Sequence, residues 1–114
     1  MQMTATEVGG TLVIGVAESR IDAAVAVRFK DRMRELTDQT AGRVVLDLSR
    51  VEFLDSSGLG AVVGAMKQMG RGRKLDLAGL TPAVDKVFRM TRMDSVFRIY
   101  ADRDAALQDA AHAS

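Results

Sequence analysis

Four consecutive residues, Asp55-Ser-Ser-Gly58, place a carboxylate, two hydroxyls and a flexible turn directly ahead of an uncharged stretch of chain. They sit within Phe53-Leu-Asp-Ser-Ser-Gly-Leu-Gly60, which reads as the end of a buried strand, a turn and a helix start with serine at or beside the cap. Either Ser56 or Ser57 is placed to accept a hydrogen bond from the first free backbone N–H groups of that helix. Unpaired N–H groups and the positive helix end favour an anion, typically by about 0.3–1 kcal/mol at an exposed site. A phosphate on a hydroxyl here is therefore tolerated by the fold, while it adds nearly two negative charges to the surface that the turn presents. That surface is apolar: Gly58 to Met66 carries no charge, only Leu59, Ala61, Val62, Val63, Ala65 and Met66 among glycines. Such a pattern fits a helix buried all round, or one whose outer face meets a partner. Both can hold, because Gly60 and Gly64 lie four apart and allow close approach of another backbone.

Other chemistries lack their parts. The chain has no cysteine, which removes disulfides, thiol catalysis and zinc–thiolate sites together. His112 is the one histidine and stands in the tail, so neither a catalytic triad nor a metal cluster can be assembled. No catalytic residue, metal or cofactor is expected. Gly58-Leu-Gly-Ala-Val-Val-Gly64 follows a strand and opens a helix, as a dinucleotide-binding turn does, but its third glycine comes one residue late. A P-loop needs Gly-Lys-Ser/Thr, whereas Gly64 precedes Ala65-Met66. A small nucleotide-binding enzyme stays as the remote alternative. Asp47 ends a buried strand as a receiver-domain phosphoacceptor does, without a convincing acidic pair to hold magnesium. The methionines Met66, Met69, Met90 and Met93 are read chiefly as core filling. Arg71, Arg73 and Lys74 are read as a solvated turn.

The elements that position the serines follow from hydrophobic periodicity. Thr4 to Val8 and Thr11 to Val16 flank Gly9-Gly10 as a hairpin. A helix is expected from about Asp22 to Asp38, with Asp22 capping it and Ile21, Val25, Phe29, Met33 and Leu36 as its apolar stripe. Arg43 to Leu48 is an unalternated apolar run that suits a strand buried on both faces. A second helix runs from Leu59 to Met69, and a strand from Lys74 to Ala78. Pro82 starts a third helix with Val84, Val87, Phe88 and Thr91 inward. Val96 to Tyr100 is a last strand, and Asp102 caps a terminal helix that frays towards residue 114. The order β-β-α-β-α-β-α-β-α implies a single α/β domain over residues 1–114. It has a mixed, largely parallel sheet of four to five strands, an edge hairpin and about four helices.

Composition agrees with an ordinary globular chain of 114 residues, 47% hydrophobic and 27% charged. A formal charge of +1 gives no electrostatic reason to expect nucleic acid. The start has no signal-peptide pattern, and Ser56 to Met66 is too short for a bilayer, which takes about 20 residues. No membrane association and a cytoplasmic location are expected.

Phe53-Leu-Asp-Ser-Ser-Gly-Leu-Gly60 resembles the phosphorylation-site motif of the bacterial anti-sigma-factor antagonists, members of the STAS domain family. Ile21-Asp22 resembles the family's Leu-Asp pair before its first helix. Val44-Val-Leu-Asp-Leu48 resembles the strand that feeds the motif, and Leu77 to Val84 the segment entering the third helix. The resemblance implies partner switching. The unphosphorylated chain would bind an anti-sigma factor that is itself an ATPase-type serine kinase and release the sigma factor. Phosphorylation of Ser56, with Ser57 as the neighbouring alternative, would end that complex, and a serine phosphatase would restore it. The expected partner contacts are Asp22, Asp55, Ser56, Ser57, Gly58, Leu59, Val62, Val63 and Met66, on a monomer or weak dimer. The sequence departs from the family at Ala23-Ala24-Val25, which lacks polar residues often found there. The alternative reading is a STAS scaffold in another signalling pathway, with no sigma-factor target or phosphoserine cycle.

Overall fold

The computed structural model describes residues 1–109. Its strands are β1 (Met3–Val8), β2 (Thr11–Val16), β3 (Arg20–Ile21), β4 (Val44–Asp47), β5 (Phe53–Leu54), β6 (Leu75–Ala78) and β7 (Ile99–Tyr100). Its helices are α1 (Ala26–Asp38), α2 (Ser56–Gln68), α3 (Pro82–Met90) and α4 (Arg103–Gln108), with a 3₁₀ turn at Met93–Ser95. Gly9 and Gly10 take positive φ of 55° and 83°, so the chain reverses and β1 pairs antiparallel with β2. The strands β2, β4, β6 and β7 then follow in parallel, giving the order β1-β2-β4-β6-β7. The expected mixed sheet with an edge hairpin is what forms.

Side chains of β4 alternate between two covered faces, which explains its continuous apolar run. Val44 and Leu46 face the main core with Leu12, Ile14, Phe29, Met33, Val62 and Phe88. Val45 faces the second layer with Val13, Ala78 and Ala106 of α4. Phe88 and Phe97 meet edge-on, 5.9 Å between ring centres. The second layer also holds polar fasteners for α4. Arg43 and Asp76 pair at 2.8 Å, both almost fully buried, and Arg43 Nη1 donates to the Ala106 carbonyl at 2.8 Å. Tyr100 donates its hydroxyl to Asp109 at 2.8 Å, and Arg103 pairs with Asp47.

Several boundaries differ from expectation. Asp22 does not cap α1: the helix starts at Ala26, and its cap residue, Val25, makes no side-chain bond. The cause is a small second sheet that the sequence pattern did not reveal. Arg20 pairs in parallel with Phe53 and Ile21 with Leu54, so the chain is extended up to Ile21 and then turns through Asp22 to Val25 before the helix starts. Ile21 consequently belongs to a strand and not to the stripe of α1. The second helix begins at Ser56, three residues before Leu59. The last strand shortens to two residues, because Met93–Ser95 coils and Arg92 adopts a left-handed φ of 61°. Thr91 is exposed, its hydroxyl spent on the Val87 carbonyl at 2.7 Å, so Val84 and Phe88 alone are the buried residues of α3. His112 and the end of the expected frayed tail lie outside the described residues.

Candidate functional site

Asp55 organises the site. It is the residue before α2, with an extended backbone, and its Oδ1 accepts from the Gly58 N–H at 2.8 Å. Its Oδ2 accepts from the Ala23 N–H at 3.2 Å. One carboxylate thus caps α2 and ties the turn between β3 and α1 to it. The capping role expected of a serine belongs to Asp55, and the Ser56 and Ser57 side chains are exposed. Leu59 N–H donates to the Asp55 carbonyl at 2.8 Å. The Ser56 and Ser57 N–H groups are left without a hydrogen-bond partner among the described residues.

Asp22 works beside it. Its Oδ1 accepts from Ala24 N–H at 3.1 Å and its Oδ2 from Arg20 Nε at 3.3 Å. Arg20 lies over the Phe53 ring, 4.1 Å from its centre, and Phe53 is itself 40% exposed. Asp55 thus ties Ala23 to the start of α2, and the strands that lead to this turn carry Arg20 and Phe53, with Asp22 just after β3.

The helix behind the serines is more covered than its composition suggests. Gly58 is buried, and a Cβ on it would stand 2.0 Å from the Ile21 carbonyl oxygen, so glycine alone lets α2 lie against β3. Val62 is fully buried in the core. Neither Gly58 nor Val62 is available to a partner, which corrects two of the expected contacts. Leu59, Val63 and Met66 are half-buried against the core. Gly64 is overlaid by Lys30, whose Cε would be 2.9 Å from a Cβ there, and Gln68 donates to the Lys30 carbonyl at 2.8 Å. The Gly64 side of α2 is thus packed against α1. Gly60 remains open, with nothing within 4 Å of its would-be Cβ.

Residues missed from the sequence lie on α1 and the small sheet. Lys30 meets Gly64 and Arg34 meets Gln68, and the same offset one turn earlier sets Ala26 level with Gly60. Val27, next to it, is 70% exposed. An apolar residue off the stripe of α1 was the signal available. Ala23 and Ala24 stand out only as a departure from the family pattern, and Phe53 gives no periodic signal, because a two-residue strand has no period to read.

The remaining candidates have structural work. Asp47 is held by Arg103 and accepts from Ser49 N–H at 2.9 Å. Burial would raise its carboxyl, but the Arg103 guanidinium and the Ser49 backbone and hydroxyl outweigh that and hold it below its ordinary value. Arg73 is not a solvated cation: it donates to the Gly42 and Thr37 carbonyls and to Thr40, at 3.0, 2.8 and 3.3 Å, closing the end of α1. Met69 is buried, Met66 and Met93 pack half-buried, and Met90 is exposed. A cleft of about 550 Å³ lies at the far end of α2 from Ser56, between Met66, Arg73, Arg89 and Val96. Among the described residues no group of three or more acidic, histidine or cysteine side chains could hold a metal, and no helix is long and apolar enough to cross a membrane.

The central strand β4 of a mostly parallel sheet with an antiparallel edge is followed by the short β5 and then by the serine-led helix α2. The chain belongs to the STAS domain family, whose model matches residues 2–106. It is similar to BtrV of Bordetella bronchiseptica, a proposed anti-sigma factor antagonist, with 31% identity over 107 residues covering 93% of this chain and 91% of that one. It is 35% identical over 81 residues to the anti-sigma-B factor antagonist of Listeria monocytogenes, covering 69% of this chain and 70% of the other. The fold matches the anti-sigma factor antagonist SpoIIAA in its unphosphorylated form, with TM-score 0.76, 22% identity and 97% of both chains covered.

Proposed function

We propose that this chain is an anti-sigma-factor antagonist that acts by partner switching, with Ser56 as the phosphoacceptor and no catalysis of its own. In its unphosphorylated form it docks on an anti-sigma factor of the ATPase-kinase type and releases the sigma factor. That kinase transfers the γ-phosphoryl group of ATP to Ser56 Oγ, the hydroxyl proton leaves, ADP departs, and the complex ends. A serine phosphatase restores the first state.

The observation that carries this reading is the division of labour between Asp55 and Ser56. Because Asp55 caps α2, the Ser56 hydroxyl has no structural duty and lies exposed at the first position of the helix. A dianion there does not unseat a core residue, yet it stands amid a surface of Ala23, Ala24, Gly60 and Val27 that a partner would desolvate. Burying a doubly charged group against such a surface is unfavourable. Asp22, Asp55, Ser57 and the accessible parts of Leu59, Val63 and Met66 complete the docking face.

Incubation with the ATPase-type kinase and ATP, followed by peptide mass spectrometry, tests the assignment. Phosphate is expected on Ser56. Phosphate on a residue other than Ser56 or Ser57 overturns the site, and no phosphate at all favours a STAS scaffold without a phosphoserine cycle.

A further inference from the structure

We infer that Arg20 is the residue through which the chain senses its own phosphate: the guanidinium engages phosphorylated Ser56 and gives up Asp22. The inference rests on Ser56 carrying the phosphate and concerns what the chain then does with it.

Three observations lead there. Arg20 is over half exposed, and its one hydrogen bond is the long 3.3 Å contact from Nε to Asp22. Its Nη1 and Nη2 groups have no hydrogen-bond partner among the described residues. Such a surface pair is weak, contributing about 0–1 kcal/mol, and yields readily to a stronger acceptor. Next, the guanidinium is held in place by stacking on Phe53, 4.1 Å from the ring centre, so it is oriented before any phosphate arrives. Finally, β3 and β5 run parallel with Arg20 opposite Phe53 and Ile21 opposite Leu54. Continuing that register sets Asp22 beside Asp55, the residue before Ser56. The side chain of Arg20 already reaches along β3 to Asp22, towards the end where Ser56 stands.

Charge decides the direction of the exchange. A phosphate on Ser56 adds nearly two negative charges next to Asp55 and Asp22. The free Ser56 and Ser57 N–H groups offer only part of the relief, because the Gly58 N–H is already taken by Asp55. Arg20 is the cation built into this rim, and a guanidinium prefers a dianionic, bidentate acceptor to a single carboxylate oxygen. Asp22 then loses its cation, and the turn from Asp22 to Val25 loses one of the contacts that shape it. Phosphorylation thereby alters two borders of the docking face, adding charge at Ser56 and loosening the Ala23–Ala24 side.

The test installs phosphoserine at position 56 by genetic encoding, so it does not depend on any kinase, and follows its second ionisation by ³¹P NMR. Arg20→Gln should raise that pKa by roughly 0.2–0.7 units relative to the phosphorylated wild-type chain, and Arg20→Lys should recover part of the difference. Asp22→Asn, which keeps Arg20 and removes its competitor, should lower the pKa. Identical titrations for wild type and Arg20→Gln, or an unchanged or raised value in Asp22→Asn, overturn the inference. Absence of kinase-catalysed phosphate on Ser56 would sink the proposed function and leave this titration readable.

Discussion

Ser56 and Gly58 illustrate two opposite demands made two residues apart. Ser56 projects from the helix start with nothing to hold, whereas Gly58 sits where no side chain fits. A Cβ at position 58 would lie 2.0 Å from the Ile21 carbonyl, and backbone is the least able of neighbours to move aside. Gly58→Ala is therefore expected to lower stability by about 1–3 kcal/mol, read as a drop in urea midpoint, because α2 must back away from β3. Gly60→Ala, with open space at its Cβ, should leave the midpoint unchanged or slightly raised. Equal effects at the two positions would contradict the packing described for α2. The motif's two glycines thus separate into one that the packing of α2 requires and one beside open space.

At the scale of elements, what was legible depended on periodicity. The hairpin, the doubly buried β4, the proline-led α3 and the Asp102 cap of α4 all carried a repeat or a punctuating residue, and each formed as expected. The start of α1 did not, because Arg20–Ile21 and Phe53–Leu54 are too short to show a period and gain their stability by pairing across 33 residues of chain. That hidden pair displaced the helix start and brought Arg20, Phe53 and Ala23 to the site. The uncharged face of α2 was misleading for a related reason: Lys30, one helix away, covers Gly64, and no local pattern reports such cover. The second layer yields a pH prediction. The folded Asp47 carboxyl lies below its ordinary value of 3.8, so the stability it contributes is complete above that value. It is lost as pH falls through the lower folded value. Wild type should exceed Asp47→Asn in urea midpoint near neutrality, with the gap closing under acid. A gap that stays constant down to pH 2 or so would show that the Asp47–Arg103 contact contributes no charge-dependent stability.

Taken as a whole molecule, the chain places its two kinds of polar chemistry on opposite faces of one sheet. Ion pairs that fasten α4 occupy the second layer, while the serine-led helix belongs to the layer of α1, α2 and α3. A phosphate on Ser56 would therefore change the proposed docking surface without reaching the buried Arg43–Asp76 pair, and the folded state should persist. The most direct measurement is calorimetric titration of the cognate anti-sigma kinase with Ser56→Ala, Ser56→Asp and the phosphoserine-56 chain, each first shown to be folded. The account predicts binding by Ser56→Ala, weakening of at least tenfold for Ser56→Asp, which is about 1.4 kcal/mol, and a larger loss for the true dianion. Equal affinities across the three folded chains would contradict it.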